Sequence, residues 1–393
     1  MVTLLSKLFI KDYRNYSSPK VRTGYGILCG AFGIFLNVLL FAGKLTAGLL
    51  SGSIAIIADA VNNLSDAGSS IITLFGFKMA ASKPDSDHPY GHGRMEYISG
   101  LLVAILILFM AYELIKTSIG KILHPEPVAT TWITVIILIV SILTKFYMFF
   151  YQRNISKKIA SAALKATSTD SVSDTVATTV VLLSSLANRF LHWNIDGYCG
   201  ILVGLFIAYS GIQAIKETIS PLLGQAPDPE LVEQIREVMM SEPAILGIHD
   251  LMIHDYGPSR VMVSLHAEVS ASSDFLEMHD IIDNLERHIR QELGCFATIH
   301  MDPVLDKDEE TQSLKRQVTK IITGIDEHLS LHDFRVVKGP THTNLIFDVV
   351  KPYSMKMDTK DLHEIITYKI NDWNANFYCV IEYDEEFCTH NKK

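Results

Sequence analysis

The sequence predicts a membrane α-helical bundle followed by an α+β domain. The chain has 393 residues, of which 48% are hydrophobic and 20% are charged, and this length suits two or three domains. Long apolar runs dominate the sequence before Pro221, whereas most charged residues follow it. After Pro221 the pattern changes to short strands and amphipathic helices, which is typical of a water-soluble domain.

The membrane half contains six apolar runs, and a run of roughly twenty apolar residues spans a bilayer. The second and fifth runs contain the most polar residues. Lipid-facing helices rarely contain such residues, so we expect these two helices to lie inside the bundle, protected by the other four. The six predicted spans lie near 25–50, 54–80, 98–119, 130–151, 160–189 and 197–219.

Charge and cysteine usage narrow the location and the partners. Lys and Arg cluster before the first span, after the second and after the fourth, which predicts that both termini face the cytoplasm. The five cysteines lack disulfide or zinc-finger spacing, and no cleavable signal peptide is recognised, so a reduced cytoplasmic compartment is expected. These features and the short loops suggest a bacterial plasma membrane, although an organelle membrane stays open. A net charge of −9 and the lack of a G-x-x-x-x-G-K-[ST] motif argue against nucleic acid and nucleotide.

The polar half predicts the element order αββαβ, with a turn at Gly257 and Pro258 between the first two strands. A similar order follows at a period of about 83 residues. For example, HDLMIHDYGPSRVMVSLHAEV resembles HDFRVVKGPTHTNLIFDVV. The predicted domains are a cytoplasmic N-terminal segment at 1–24, a six-helix transmembrane domain at 25–220, an αββαβ domain at 221–304 and a second αββαβ-like unit at 305–393.

Polar side chains spaced four residues apart lie in two of the predicted spans. Asn62 and Asp66 lie in the second span, and Asp170 and Asp174 lie in the fifth. Residues four apart share one helix face, so four oxygen ligands converge if these two helices pack side by side. A carboxylate at mid-membrane costs about 2.5–3.5 kcal/mol on insertion scales. Either a divalent cation or protons relieve the repulsion among three carboxylates, so the pattern predicts metal/proton exchange.

The alternative is that these aspartates only satisfy internal polar partners, such as Lys44, Asn37 or the hydroxyls of the fifth span. Two spaced pairs on separate spans favour the metal site, because ionisable groups inside a membrane are functional by default. Asp59 lies three residues before Asn62 and is expected to support the site rather than bind the ion.

Several separated motifs resemble the cation diffusion facilitator family, from about residue 25 to residue 303. They are NVLLFAGKLTAGLLSGSIAIIADAVNNLSD, the loop DSDHPYGHGRMEYISG and the pair DSVSD. The resemblance implies a six-helix, Y-shaped homodimer with a cytoplasmic αββαβ domain, which exports divalent metal in exchange for protons. It implies a transport site of four ligands, Asn62, Asp66, Asp170 and Asp174.

The ligand types suggest which metal is carried. Zinc exporters of this family usually have histidine among the four ligands, in keeping with zinc's preference for nitrogen and sulfur. Here the set is one amide oxygen and three carboxylates, which suits harder ions. The pattern resembles the manganese branch, so Mn(II) is expected, with Zn(II), Fe(II), Co(II) and Cd(II) as alternatives. The metal is a substrate, and no cofactor is expected.

Two further groups of residues match metal positions of the family. In the loop after the second span, Asp85, His88 and His92 form one group, which could instead be a hydrogen-bonded turn. In the αββαβ domain, the matching residues are His249, His266, His279, His300 and Asp302. The resemblance places this cytoplasmic cluster at the dimer interface, where bound metal would join the protomers and bias the transporter between its states.

The second αββαβ-like unit retains two histidines and replaces the other ligands with carboxylates. His332 and His363 correspond to His249 and His279. A degenerate copy without metal is favoured there, because the family pattern ends near residue 303. The remaining positions carry Asp348, Glu382 and Asp384, in place of His266, His300 and Asp302.

The sequence as a whole predicts a transporter rather than an enzyme. We expect a homodimeric Mn(II)/proton antiporter in a lipid membrane, loaded from the cytoplasm. The alternative is a membrane-anchored metal sensor or scaffold that does not transport. A passive channel is disfavoured, because the polar residues concentrate on two spans instead of lining a continuous pore.

Overall fold

The computed structural model describes most of the chain. The chain divides into two compact units. The N-terminal unit comprises residues 1–225 and 256–258, and the C-terminal unit comprises residues 226–255 and 259–393. Parts of all four predicted domains lie outside the described residues, namely residues 1, 17, 52, 53, 125–131, 192–195, 259, 353 and 386–393. The described ranges are 2–16, 18–51, 54–124, 132–191, 196–258, 260–352 and 354–385.

The N-terminal unit is a bundle of long helices preceded by a short one. Small residues allow its helices to approach closely. A Cβ atom added at Gly30 would lie 2.8 Å from Leu74 Cβ, and one added at Gly211 would lie 2.7 Å from Leu108 Cδ2. The helices are α1 (Val2–Phe9), α2 (Pro19–Ser51), α3 (Ile54–Ala80), α4 (Met95–Leu123), α5 (Trp132–Lys158), α6 (Ala162–Leu191) and α7 (Asp196–Leu223).

The prediction of six apolar spans is confirmed for four helices only. In the described part of the chain, the helices long and apolar enough to cross a membrane lie within α2, α4, α5 and α7. The prediction that α3 and α6 are apolar spans was wrong. Both helices contain buried serine, threonine and aspartate side chains, which lower their hydropathy. These two helices nevertheless pack against each other and against α4, as expected for helices inside a bundle.

A buried ion pair joins α2 to α4 near the start of both helices. Arg22 Nη2 donates a hydrogen bond to Glu96 Oε1 at 2.8 Å, and Glu96 is fully buried. Arg22 Nε also donates to the carbonyl oxygen of Ile159, at 2.8 Å. Arg22 therefore connects α2, α4 and the segment that contains Ile159. This ion pair explains why Glu96 is buried although it belongs to no predicted metal site.

The C-terminal unit contains two three-stranded sheets, each with two helices. In both sheets the middle strand pairs with one neighbour antiparallel and with the other parallel. We call residues 229–304 the first half and residues 309–385 the second half. The first half contains α8 (Pro229–Met240), β1 (Ile245–Asp255), β2 (Val261–Ser270), α9 (Phe275–Glu292) and β3 (Phe296–Val304). The second contains α10 (Glu309–Thr323), β4 (Ser330–Lys338), β5 (Thr343–Lys351), α11 (Thr359–Trp373) and β6 (Phe377–Glu385).

Local sequence explains where these helices begin. An aspartate precedes each one, and its side-chain oxygen accepts a hydrogen bond from a backbone N–H of the first turn. Each half also has its own apolar core, with Leu265 and Ile289 in the first and Leu345 and Ile366 in the second. The four capping residues are Asp228, Asp274, Asp308 and Asp358.

Candidate metal centres

Three carboxylates converge inside the helix bundle, where α3 packs against α6. Asp66, Asp170 and Asp174 each present one oxygen, and these oxygens lie within 4.8 Å of one another. The side chains are almost fully buried, with exposed fractions of 1%, 5% and 6%. The four-residue spacing in α6 places Asp170 and Asp174 on one face of the helix, towards Asp66 of α3. The three acids therefore form one group, as their spacing predicts.

Lys145 of α5 lies against this group, although it is not part of the spaced polar pairs in the sequence. Its Nζ atom is 2.6 Å from Asp66 Oδ2 and 2.7 Å from Asp174 Oδ2. Lys145 is 2% exposed, so its charge is balanced by these carboxylates rather than by water. A single lysine inside the apolar run of α5 was the sequence feature that could have identified it.

The two adjacent asparagines of α3 have different environments. Asn63 is buried, and its Nδ2 donates a hydrogen bond to Asp66 Oδ2 at 3.2 Å. Asn62, which the sequence predicts as a ligand, is exposed. Asp66 Oδ1 is buried and has no hydrogen-bond partner among the described residues, so it remains available to a cation. The side chain of Asp59 lies outside the described ones.

The electrostatics of the group suit a divalent cation. If all three carboxylates are ionised, they and the Lys145 ammonium together carry a net charge of −2. A metal ion that binds Asp66 Oδ2 and Asp174 Oδ2 must displace Lys145, because the ammonium occupies the same oxygens. Lys44 is also buried and interacts electrostatically with Asp174. The carboxylates therefore have internal cationic partners, but Asp66 Oδ1 has no hydrogen-bond partner among the described residues.

The loop between α3 and α4 brings Asp85, His88 and His92 together, with one ligand atom of each within 4.8 Å of the others. Asp85 Oδ2 is 3.4 Å from His92 Nε2, and the two imidazole rings are 4.6 Å apart. The backbone N–H of His88 donates to Asp85 Oδ1 at 2.7 Å, and this hydrogen bond is the main cause that lowers the pKa of Asp85. Asp85 and His88 are exposed, so the group is open to solvent.

The first half of the C-terminal unit gathers four of the five predicted ligands. Asp302 Oδ2 lies 3.1 Å from His249 Nε2 and 2.9 Å from His266 Nδ1, and Asp302 Oδ1 lies 3.1 Å from His300 Nε2. Strand register explains this, because His266 pairs with His249 on one side and with His300 on the other. His279 is exposed on α9 and is absent from the three-residue ligand groups found among the described residues.

The second half places acidic residues at the corresponding positions. Asp348 pairs with His332 on one side and with Glu382 on the other. Burial and then the neighbouring Asp384 raise the pKa of Asp348 to about 6. Burial also raises the pKa of Asp384, whose Oδ2 lacks a hydrogen-bond partner in the described part of the chain. These carboxylates repel one another, and no group of three potential ligands within this half alone was found among the described residues.

Comparisons with known proteins cover both units. Residues 31–223 match the cation efflux transmembrane domain, and residues 227–304 match the cytoplasmic domain of cation efflux proteins. An uncharacterized transporter of Methanocaldococcus jannaschii is 33% identical over 278 residues, which are 68% of this chain and 95% of that protein. The cation-efflux pump FieF of Escherichia coli is 28% identical over 267 residues, which are 67% of this chain and 88% of the pump.

Proposed function

This chain belongs to the cation diffusion facilitator family of membrane transporters, and on that premise we propose that it exports Mn(II) from the cytoplasm in exchange for protons. The family transports divalent metals and is not a family of enzymes. One observation carries the proposal: three buried carboxylates meet within 4.8 Å, and Asp66 Oδ1 has no hydrogen-bond partner among the described residues.

In this proposal Asp66, Asp170 and Asp174 bind the ion, and Asn62 completes the site. The ion displaces Lys145 from Asp66 Oδ2 and Asp174 Oδ2, so Lys145 is a positioning residue that competes with the metal. A divalent ion neutralises more of the charge of the three carboxylates than the single ammonium that it displaces, which makes their burial more tolerable. When the site opens to the other side, protons bind the carboxylates and the ion leaves.

The donor atoms favour Mn(II) over Zn(II). Carboxylate and amide oxygens suit harder cations, whereas zinc prefers nitrogen and sulfur. Zn(II), Fe(II), Co(II) and Cd(II) are the alternative substrates, because ligand type biases selectivity without fixing it.

We further propose that the protein works as a homodimer in a bacterial plasma membrane, with both termini in the cytoplasm. The match of residues 227–304 to the cytoplasmic domain of cation efflux proteins supports a cytoplasmic C-terminal unit. The loop group of Asp85, His88 and His92 and the group around Asp302 are proposed as additional metal positions. The latter group would sense cytoplasmic metal and bias the transporter between its states. We also propose that the chain has the four domains predicted from its sequence, with limits at 1–24, 25–220, 221–304 and 305–393.

A second candidate function is a membrane-anchored metal sensor or scaffold that does not transport. The contact of Lys145 with two of the three carboxylates favours this alternative, because an internal cation already balances part of the charge. The two candidates differ in one outcome, which is net movement of metal across the membrane.

The decisive experiment is metal uptake into proteoliposomes with an imposed pH gradient. Purified protein is reconstituted, and the fluxes of Mn(II), Zn(II), Fe(II), Co(II) and Cd(II) are compared. We expect proton-coupled Mn(II) flux that is lost in Asp66→Ala and in Asp170→Ala. Asp87→Ala is the matched control, since Asp87 is an exposed loop aspartate outside the carboxylate group.

The other outcomes separate the alternatives. Flux of a different metal retains the mechanism and overturns the selectivity argument. Metal flux without proton movement contradicts antiport. If folded protein moves no metal while zinc or manganese still binds to it, the sensor function is favoured.

A further inference from the structure

The two halves of the C-terminal unit share a local irregularity as well as an element order. In the first half a bulge follows His249, and Asp250 adopts a positive φ of 50°. In the second half a bulge follows His332, and Asp333 adopts a positive φ of 45°. A residue other than glycine rarely adopts this conformation, so its recurrence at the same place makes His249 and His332 structural counterparts.

These counterparts contact each other. The imidazole rings of His249 and His332 are stacked, with centroids 5.1 Å apart and planes inclined by 14°. The two halves therefore contact each other through this stack, and β3 of the first half also contacts β4 of the second.

A third metal-binding side chain lies at this contact. Glu268 of β2, His249 and His332 each present one ligand atom, and these atoms lie within 4.8 Å of one another. The side chains of His249 and Glu268 are only 2% and 13% exposed. His249 Nε2 faces Asp302, whereas its Nδ1 is buried with no hydrogen-bond partner among the described residues. An unpaired buried ring nitrogen is costly unless a ligand satisfies it.

We propose that a divalent transition-metal ion binds between the two halves, held by His249 and Glu268 of the first half and His332 of the second. Two imidazoles and one carboxylate are a donor set that suits Zn(II). This position differs from the group around Asp302 but shares His249 with it. It also differs in chemistry from the all-oxygen group of the helix bundle, so the two sites select different ions.

The site gives the second half a role that its own carboxylates do not explain. Metal held by ligands from both halves fixes them to each other, because the ion loses a ligand if they separate. The competing explanation is that the ring stack and the ion pair of Lys315 Nζ with Glu268 Oε1, at 3.6 Å, join the halves without metal. In the metal-bound form, the Glu268 carboxylate leaves the Lys315 ammonium and binds the metal ion instead.

The test uses the full-length protein in detergent, with Asp66→Asn and Asp170→Asn introduced so that the helix bundle does not contribute to zinc binding. Bound zinc is counted after dialysis, and amide hydrogen exchange is followed in β1 and β4. The protein with only Asp66→Asn and Asp170→Asn is the parent for the variants below. In this parent we expect zinc to slow amide hydrogen exchange in both β1 and β4. His332→Ala should lose about one zinc ion per chain and the protection of β4.

Two variants make the test specific. His342→Ala, an exposed histidine of the second half, should behave as the parent does. Glu268→Gln changes a ligand in the first half and should still remove zinc-dependent protection from β4 in the second. This variant decides the outcome if His332→Ala unfolds the second half. Equal zinc content and equal β4 protection in parent and Glu268→Gln, or no effect of zinc on β4 in the parent, would overturn the proposal.

Discussion

Lys145 Nζ lies 2.6 Å from Asp66 Oδ2, so a buried ammonium already contacts a carboxylate that we propose as a metal ligand. The same ammonium contacts Asp174 Oδ2 at 2.7 Å. A metal ion can take these oxygens only if Lys145 leaves them. We therefore expect Lys145 to affect both how tightly the metal binds and how stable the bundle is without it.

Lys145→Met should make the stability of the protein depend on metal. Removing one partner of a buried ion pair costs about 3–5 kcal/mol, because the remaining charges are left uncompensated. Mn(II) should then raise the midpoint of thermal unfolding more in the variant than in the unmodified protein, since the ion replaces the lost cation. Thermal unfolding in detergent, with and without Mn(II), measures this difference.

Lys116→Met is the control for Lys145→Met. Lys116 is an exposed lysine of α4 that contacts Glu113 at 3.5 Å, so its removal should change neither stability nor the response to Mn(II). An identical Mn(II)-dependent shift in the Lys145 variant and in the unmodified protein would show that lysine and metal do not compete.

The neighbouring asparagines of α3 should have separable roles. Asn63→Ala removes a buried donor to Asp66 Oδ2 and should lower the unfolding free energy by about 1–3 kcal/mol. Asn62→Ala should leave stability nearly unchanged, because Asn62 is exposed, but should reduce Mn(II) flux about tenfold or more as the site loses a ligand. Each variant is the control for the other. If Asn63→Ala reduces Mn(II) flux at normal stability and Asn62→Ala does not, then Asn63 rather than Asn62 is the metal ligand.

Asn62→His should shift selectivity towards zinc. An imidazole in place of an amide oxygen adds the nitrogen donor that Zn(II) prefers. Competition between Mn(II) and Zn(II) in the proteoliposome flux assay measures the ratio, and Asn62→Gln, which retains an amide oxygen, is the control. If both variants show the same metal ratio, Asn62 does not contribute to selectivity.

Much of this arrangement could be predicted from the sequence, because the relevant contacts repeat at short spacing. The spacing of Asp170 and Asp174 placed both on one face of α6, and alternation along the strands predicted the αββαβ order. A lone lysine in the apolar run of α5 indicates a functional residue, but its partners could not be predicted, because the contact of Lys145 with Asp66 depends on how α5 packs against other helices. Similarly, no local pattern indicates that His249 meets His332, since that contact depends on how the two halves pack.

A helix cap provides a test of pH dependence in the C-terminal unit. Asp308 caps α10, and its hydrogen bonds from the side chain and backbone of Thr311 lower its pKa. A carboxyl whose pKa is lower in the folded state stabilises that state above the unfolded pKa, near 4, and loses this contribution as pH falls through the folded pKa. Asp308→Ala should therefore destabilise α10 at neutral pH, and the difference should shrink below about pH 4.

Hydrogen exchange of residues 309–323 at several pH values measures this effect. Asp308→Asn retains an acceptor for the cap without a charge, so it should be less harmful at neutral pH and should show a flatter pH dependence. A difference between Asp308→Ala and the unmodified protein that grows as pH falls would contradict the assigned cause of the shift.

A chain truncated after residue 304 should still fold and carry Mn(II), but should associate when zinc is added. The first half has its own apolar core, and the family match ends at residue 304, so we expect transport to continue without the second half. Truncation removes His332, whose ring covers the ring of His249, and so exposes the surface around His249. Zinc can then join this surface to the same surface of another copy. Sedimentation with and without zinc compares the truncated and full-length chains, and the truncated chain with His249→Ala is the control. A zinc response of equal size in all three would show that His332 does not cover a metal-binding face in the intact chain.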